Sequence, residues 1–309
     1  MELAKTCLIQ ILIMFILVAV GYLCGRIRMI DKQTNTKLST FVLDVVNPVL
    51  IFNSYQKDFS AELLKGLGLS VLLSAGSYAL ILTVLRVIYR NDRSKDAVVA
   101  RAAAIYSNCG FMGIPLINGL FGAEGVMYVT GYLTVFNLMV WTHGISLFSK
   151  GSEDGEGGAD IGKILRSPSI IAIAVGLVCF RAQIRLPDIM AQACTHIANC
   201  NTPLAMICAG VTISFTDIGE HLKNKNVYIA VLLRLVVCPV LFWAVFRWLP
   251  LPETVYMTVL VASGCPAAAT CTMFALKFGG NSEMSAVMFA ATTVLSAITL
   301  PLVVMLGTV

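Results

Sequence analysis

Charge is scarce in this chain. It carries 22 basic and 17 acidic side chains in 309 residues, 13% of the total, against 58% hydrophobic residues. A soluble domain holds about 25% charged and 45–50% apolar residues, so this composition excludes one. Histidine and tryptophan are rare too, three of each. No HExxH pattern is present, which leaves a zinc hydrolase without its ligands, and the histidines form no nucleophile–base arrangement. No GxxxxGK[ST] loop exists, so ATP is not the energy source. The basic residues are dispersed between apolar stretches and no nucleic-acid motif appears, so no nucleic-acid partner is expected. Nothing in the sequence calls for a cofactor.

The ten cysteines include no CxxC pair and lie mostly inside apolar runs. Cys194, His196 and Cys200 form the nearest approach to a metal cluster. On a helix, however, Cys194 points about 160° away from His196. Small packing residues are the better reading, and no metal site is expected.

What the chain does have is hydrophobic length, with a mean hydropathy of +0.83. A helix crossing a bilayer needs about 20 apolar residues, and ten stretches qualify as spans: 8–25, 37–55, 63–89, 98–121, 125–148, 167–182, 189–213, 226–249, 254–277 and 283–307. The fold class expected is therefore an all-α polytopic membrane protein. The first run is followed by "RIRMIDK" and is too long for a signal peptide, which makes it an uncleaved span. Loop charges set the orientation. Most lysines and arginines, from Arg26 and Arg28 through Arg90 and Lys95 to Lys223 and Lys277, fall on one side of a ten-span arrangement. The positive-inside rule makes that side cytosolic and puts both termini outside a plasma membrane.

One polar linker, "SKGSEDGEGGADIGK", divides the chain. The expected organisation is a first five-helix repeat over 1–148, a cytosolic linker over 149–166 and a second repeat over 167–309. "GYLCGR" at Gly21 matches "GLVCFR" at Gly176, and Pro48 matches Pro203, both at an offset of about 155. Five spans is an odd number, so the halves enter the membrane in opposite directions, as in secondary transporters.

Two spans contain breaks. "SNCGFMGIPL" (Ser107 to Leu116) interrupts the fourth span, and "CPAAATCT" (Cys265 to Thr272) lies opposite it in the ninth. Irregular backbone survives at membrane depth only when buried in protein or lining a wet cavity. Helix starts there would offer free N–H groups to an anion; a glycine-rich packing contact with a Pro115 kink is the competing reading. Beside the prolines of spans two and seven stand Asn47, Asn201 and Thr202. They serve either the carbonyls that proline leaves free or a substrate. Asp44 sits mid-span, one turn before Asn47, and either couples transport to a proton or cation, pairs with a base such as Arg234, or stays protonated. His196 either lines the cavity or packs. Arg101, His143 and Arg234 are expected near cytosolic span ends, where they can snorkel. Glu124 and Glu283 are expected to place negative charge at helix starts.

"LSTFVLDVVNPVLIFNS", "SNCGFMGIPLINGLFGAEG", "NTPLAMICAGVTIS" and "GCPAAATCTMFALKFGGNSEMSAVMFAATTVLSAITLPLV" resemble the auxin efflux carrier family over nearly the whole chain. The resemblance implies a fold similar to bile-acid sodium symporters, with ten helices in two inverted five-helix repeats and crossing broken fourth and ninth helices. It implicates Asn108, Gly110, Gly113 and Pro115 with Cys265 and Pro266 as the crossover. Family members more often have Leu-Pro where Asn47-Pro48 stands, and often an asparagine near Thr270. The short linker replaces the long cytosolic loop of plant carriers and suits a bacterial type, whose relatives are associated with malate and similar acids. The expectation is an elevator-type secondary carrier of a small organic anion, malate-like or auxin-like, with a proton or sodium ion as candidate coupling partner and a homodimer as candidate assembly. A receptor that binds a carboxylate without turnover is the alternative.

Overall fold

The computed structural model describes residues 2–90, 92, 94–149, 162, 166, 168–217, 219, 221–278 and 280–308. Most of the linker expected at 149–166 lies outside them. Among the described residues all extended regular structure is helical. The helices are α1 (Glu2–Arg26), α2 (Lys32–Phe41), α3 (Asn47–Ser54), α4 (Ala61–Ile88), α5 (Lys95–Ile105), α6 (Ile114–Met139), α7 (Ile145–Ser149) and α8 (Pro168–Ala182). They continue as α9 (Asp188–Asn199), α10 (Asn201–Ser214), α11 (Lys225–Leu232), α12 (Cys238–Phe246), α13 (Glu253–Gly264), α14 (Thr270–Lys277) and α15 (Ser282–Gly307).

Several of these join into longer runs through π-helical turns, and proline explains three of the joints. Val42–Val46 precedes Asn47-Pro48, Cys109–Gly113 precedes Ile114-Pro115, and Leu233–Val237 precedes Cys238-Pro239. Proline has no N–H and its ring collides with the carbonyl four residues earlier. A widened turn relieves that clash and lets the helix continue. Capping sets other starts: Asp31 accepts the Thr34 amide at 2.7 Å, and Ser60 accepts from Glu62 and Leu63.

Among the described residues, six helical runs are long and apolar enough to cross a membrane: Leu8–Arg26, Ala61–Ile88, Cys109–Ser149, Asp188–Ser214, Lys225–Phe246 and Ser282–Gly307. The remaining expected spans fall short for visible reasons. The run at 32–54 starts with the polar α2, α8 has 15 residues, and the stretches at 98–121 and 254–277 are split where α5 and α13 end. Cys109–Ser149 unites the last part of one expected span with the next. Its course turns at Gly122, whose φ of 59° belongs to the left-handed region that glycine tolerates.

Buried packing is dense along two helix pairs. In α1, Gly21 meets the Ile207 backbone of α10, and Gly210 meets Val18 in return; a Cβ at either position would collide with backbone. Small residues that bring helix backbones together are the membrane form of close packing. α8 seats Gly176 on the Tyr55 ring that closes α3, and Phe180 stacks edge-on against the same ring at 6.5 Å. Away from these seams Leu12, Ile16 and Leu23 of α1, Leu72 and Val87 of α4, and Ile298 and Leu302 of α15 are exposed. Such broad apolar faces suit lipid rather than water.

Candidate functional site

The two breaks expected in the sequence meet in space. α5 ends at Ile105 and α13 at Gly264, and the chain beyond each is extended. There Ser107 and Ala267 form an isolated antiparallel bridge. The Asn108 amide donates to the Pro266 carbonyl at 2.7 Å, and the Ala268 amide donates to Tyr106 at 2.9 Å. Each break thus satisfies the other's backbone, which answers how helices can stop where water is absent. The Ala267 amide is taken by the Thr292 hydroxyl at 3.0 Å.

Four helix ends converge at this joint. α5 and α13 present C-terminal carbonyls, while the π turn leading into α6 and the first turn of α14 present amides. The Asn108 carbonyl opens the π turn by accepting from Met112 and Gly113 at 3.0 and 3.1 Å. Its side chain is enclosed at the joint, the residue being only 5% exposed. Gly113 lies against the Cys265 sulfur and allows the two breaks to approach; a Cβ there would stand 3.3 Å from Sγ.

The asparagines of the second and seventh expected spans join the same place. Asn201 Nδ2 donates to Asn47 Oδ1, and the residues are 1% and 2% exposed. A Cβ on Gly110 would lie 3.8 Å from Asn47 Nδ2, so that amide faces the π turn. Asn201 Oδ1 is buried without a partner. Asn47, Asn108, Asn201, Gly110, Gly113, Cys265 and Pro266 therefore form one polar cluster, with Pro115 buried one residue into α6. Thr202 and Thr270 are half-buried at the starts of α10 and α14.

Asp44 and His196 are not brought to this cluster: both are exposed. Asp44 lies within the π turn before Asn47, and the extra residue of that turn rotates it away from the face that Asn47 buries.

Arg234 corrects the sequence reading most sharply. In place of a snorkelling position or a pairing with Asp44, it is 1% exposed and has no carboxylate partner among the described residues. Its Nη1 donates to the Ala104 and Ile105 carbonyls at 3.1 and 3.0 Å, and its Nη2 donates to the Ser263 carbonyl. These acceptors close α5 and α13, the two helices that stop at the joint. The reason for the burial is local, since Arg234 is the second residue of the π turn before Pro239. His143 is also nearer the joint than expected, with Nδ1 2.8 Å from the Tyr106 hydroxyl. Ser107 Oγ donates to Tyr132 at 3.2 Å.

Apolar helices with exposed hydrophobic faces and a buried, polar, doubly broken centre define a multi-pass membrane transport protein. The chain belongs to the membrane transport protein family, that of the auxin efflux carriers, which matches residues 6–164 and 161–304. It is 23% identical over 293 residues to an uncharacterized transporter of Methanothermobacter thermautotrophicus, covering 94% of this chain and 95% of that one.

Proposed function

We propose that this transporter is a secondary carrier of a small organic anion, built as two inverted five-helix repeats of ten spans and working by elevator-type alternating access. The observation that carries the reading is the joint between two broken helices, with Asn108 buried at it. The first amides of a helix lack internal partners and carry partial positive charge. At the joint two such starts adjoin the buried polar cluster, which favours a carboxylate. Asn108, Asn47 and Asn201 are its hydrogen-bonding groups, and Thr202 and Thr270 border the helix starts.

Pair packing supports the inverted repeat. α1 packs on α10, and α3 packs on α8, its counterpart under exchange of halves. α5 likewise packs on α11 while α13 packs on α4. The bridge between Ser107 and Ala267 lies where such an exchange axis would pass. Domain limits at 1–148, 149–166 and 167–309, a plasma-membrane location and external termini belong to the same reading. A malate-like acid is the substrate class that the family resemblance favours.

Counterflow of labelled malate in proteoliposomes tests the function. A carrier exchanges internal for external label, whereas a receptor binds without exchange. Hydrogen bonds to charged groups are worth about 1.5–3 kcal/mol, so Asn108→Ala is expected to weaken malate affinity roughly 10- to 100-fold. Unchanged affinity would remove the joint from the binding site.

A further inference from the structure

We propose that Arg234 is a resident cation that fills the position a coupling metal ion would otherwise take, making transport through this site independent of sodium. The proposal rests on reading the joined breaks as the transport site. In broken-helix transporters, carbonyls from unwound segments and half-helix C-terminal ends coordinate the coupling cation. Here three such carbonyls converge, those of Ala104, Ile105 and Ser263, and all three are occupied by one guanidinium. Cys238 Sγ also donates to the Ala104 carbonyl, at 3.5 Å, as a fourth hydrogen bond to the cluster.

The electrostatics close without a second ion. Each helix C-terminus acts as roughly half a negative charge, so the ends of α5 and α13 together offset one guanidinium. That accounts for a buried arginine with no carboxylate beside it, an arrangement that is otherwise costly. It also has a consequence for the substrate. With the two negative ends neutralised, the two positive helix starts at the joint remain uncompensated and select an anion. Arg234 is thus a positioning residue: it holds the stopped helices in register through their last carbonyls and sets the sign of the site without touching the ligand.

Removing the side chain empties the carbonyl cluster, and an added cation should refill it. Loss of a buried partner of this kind is strongly destabilising, so purified Arg234→Ala should melt on the order of 10 °C below the unmodified protein. Methylguanidinium, or sodium at the same concentration as a choline control, should restore most of that loss in the variant and leave the unmodified protein's melting unchanged. Arg234→Lys keeps a charge in place and should show a smaller loss that neither salt relieves, which provides a folded comparison if the alanine variant does not assemble. In proteoliposomes, malate exchange by the unmodified protein should be equal in sodium and choline chloride. Sodium-dependent exchange by the unmodified protein would overturn the proposal. So would an Arg234→Met variant as stable as the parent, or an alanine variant indifferent to every cation. The melting measurements need no substrate, so absence of malate exchange alongside cation rescue would reject the carrier assignment and leave the role of Arg234 standing.

Discussion

Asn47 and Asn201 show how much a single contact between the two halves can carry. Each is nearly inaccessible, and each is the main polar neighbour of the other. Replacing one strands a buried amide, whereas replacing both removes donor and acceptor together. The double substitution to alanine should therefore be milder than the sum of the single ones, with a coupling of about 0.5–3 kcal/mol in a thermal or denaturant cycle. Strict additivity would mean that the pair is not formed. Much of this cluster was legible in the chain itself, because glycine, proline and asparagine are conspicuous in apolar surroundings. Arg234 was not legible. A hydropathy window puts its charge toward a cytosolic span end but says nothing of rotation, and rotation is what the π turn changes. The available signal was Cys238-Pro239 a turn later, which predicts a widened turn and hence a shifted face. Asp44, expected on nearly the same face as Asn47, is turned outward for the same reason.

At the scale of the helix, starts are held by side chains that reach across elements. Asp96, in the first turn of α5, accepts from Asn224 at 2.7 Å and Asn281 at 2.9 Å. Those asparagines cap α11 and α15, so one carboxylate ties three helix starts together. Asp96→Ala should cost about 1–3 kcal/mol, read as a lowered unfolding midpoint, since two capping side chains lose their anchor at once. Asp31 acts on α2 alone. The Thr34 backbone amide holds its carboxyl below the usual value of 3.8. A lowered folded-state value means the stabilisation is present above the unfolded pKa and lost as pH falls through the folded one. Asp31→Asn should therefore flatten the acid side of a stability–pH profile below about pH 4 and change little at neutral pH. The α1–α10 seam makes a steric test: Gly210→Ala drives a methyl into the Val18 backbone. Overpacking of this kind costs about 1–3 kcal/mol, and a thermal shift of the purified protein reads it. The span count is where helix-scale sequence reading and structure part. Hydropathy averages over breaks, so 98–121 and 254–277 look continuous in sequence although each is divided at the joint.

For the whole molecule, the decisive quantity is the parity of the membrane crossings. An inverted repeat follows from five crossings per half, and it places both termini on the same face; six crossings, counting the long apolar runs alone, would do so as well. The two arrangements agree even at the middle of the chain. With five crossings before the linker, residues 149–166 lie opposite the termini. Counting the long apolar runs alone places Leu8–Arg26, Ala61–Ile88 and Cys109–Ser149 before the linker, also an odd number. What separates the two is the loop between α3 and α4, at 55–60. It lies on the face of the termini when α2 and α3 cross as one span, and on the linker's face when they do not. Charge bears on this choice: Lys32 and Lys37 begin the run whereas Lys57 alone marks its far end, as expected for a crossing from the cytosolic side outward. A protease site inserted at 55–60 in intact cells should be cut from outside, together with one placed at the C-terminus, while a site in the linker is cut only after lysis. Protection at 55–60 would leave α2 and α3 on one side of the bilayer, and the exchange of α1–α10 with α3–α8 contacts would then no longer describe two inverted halves.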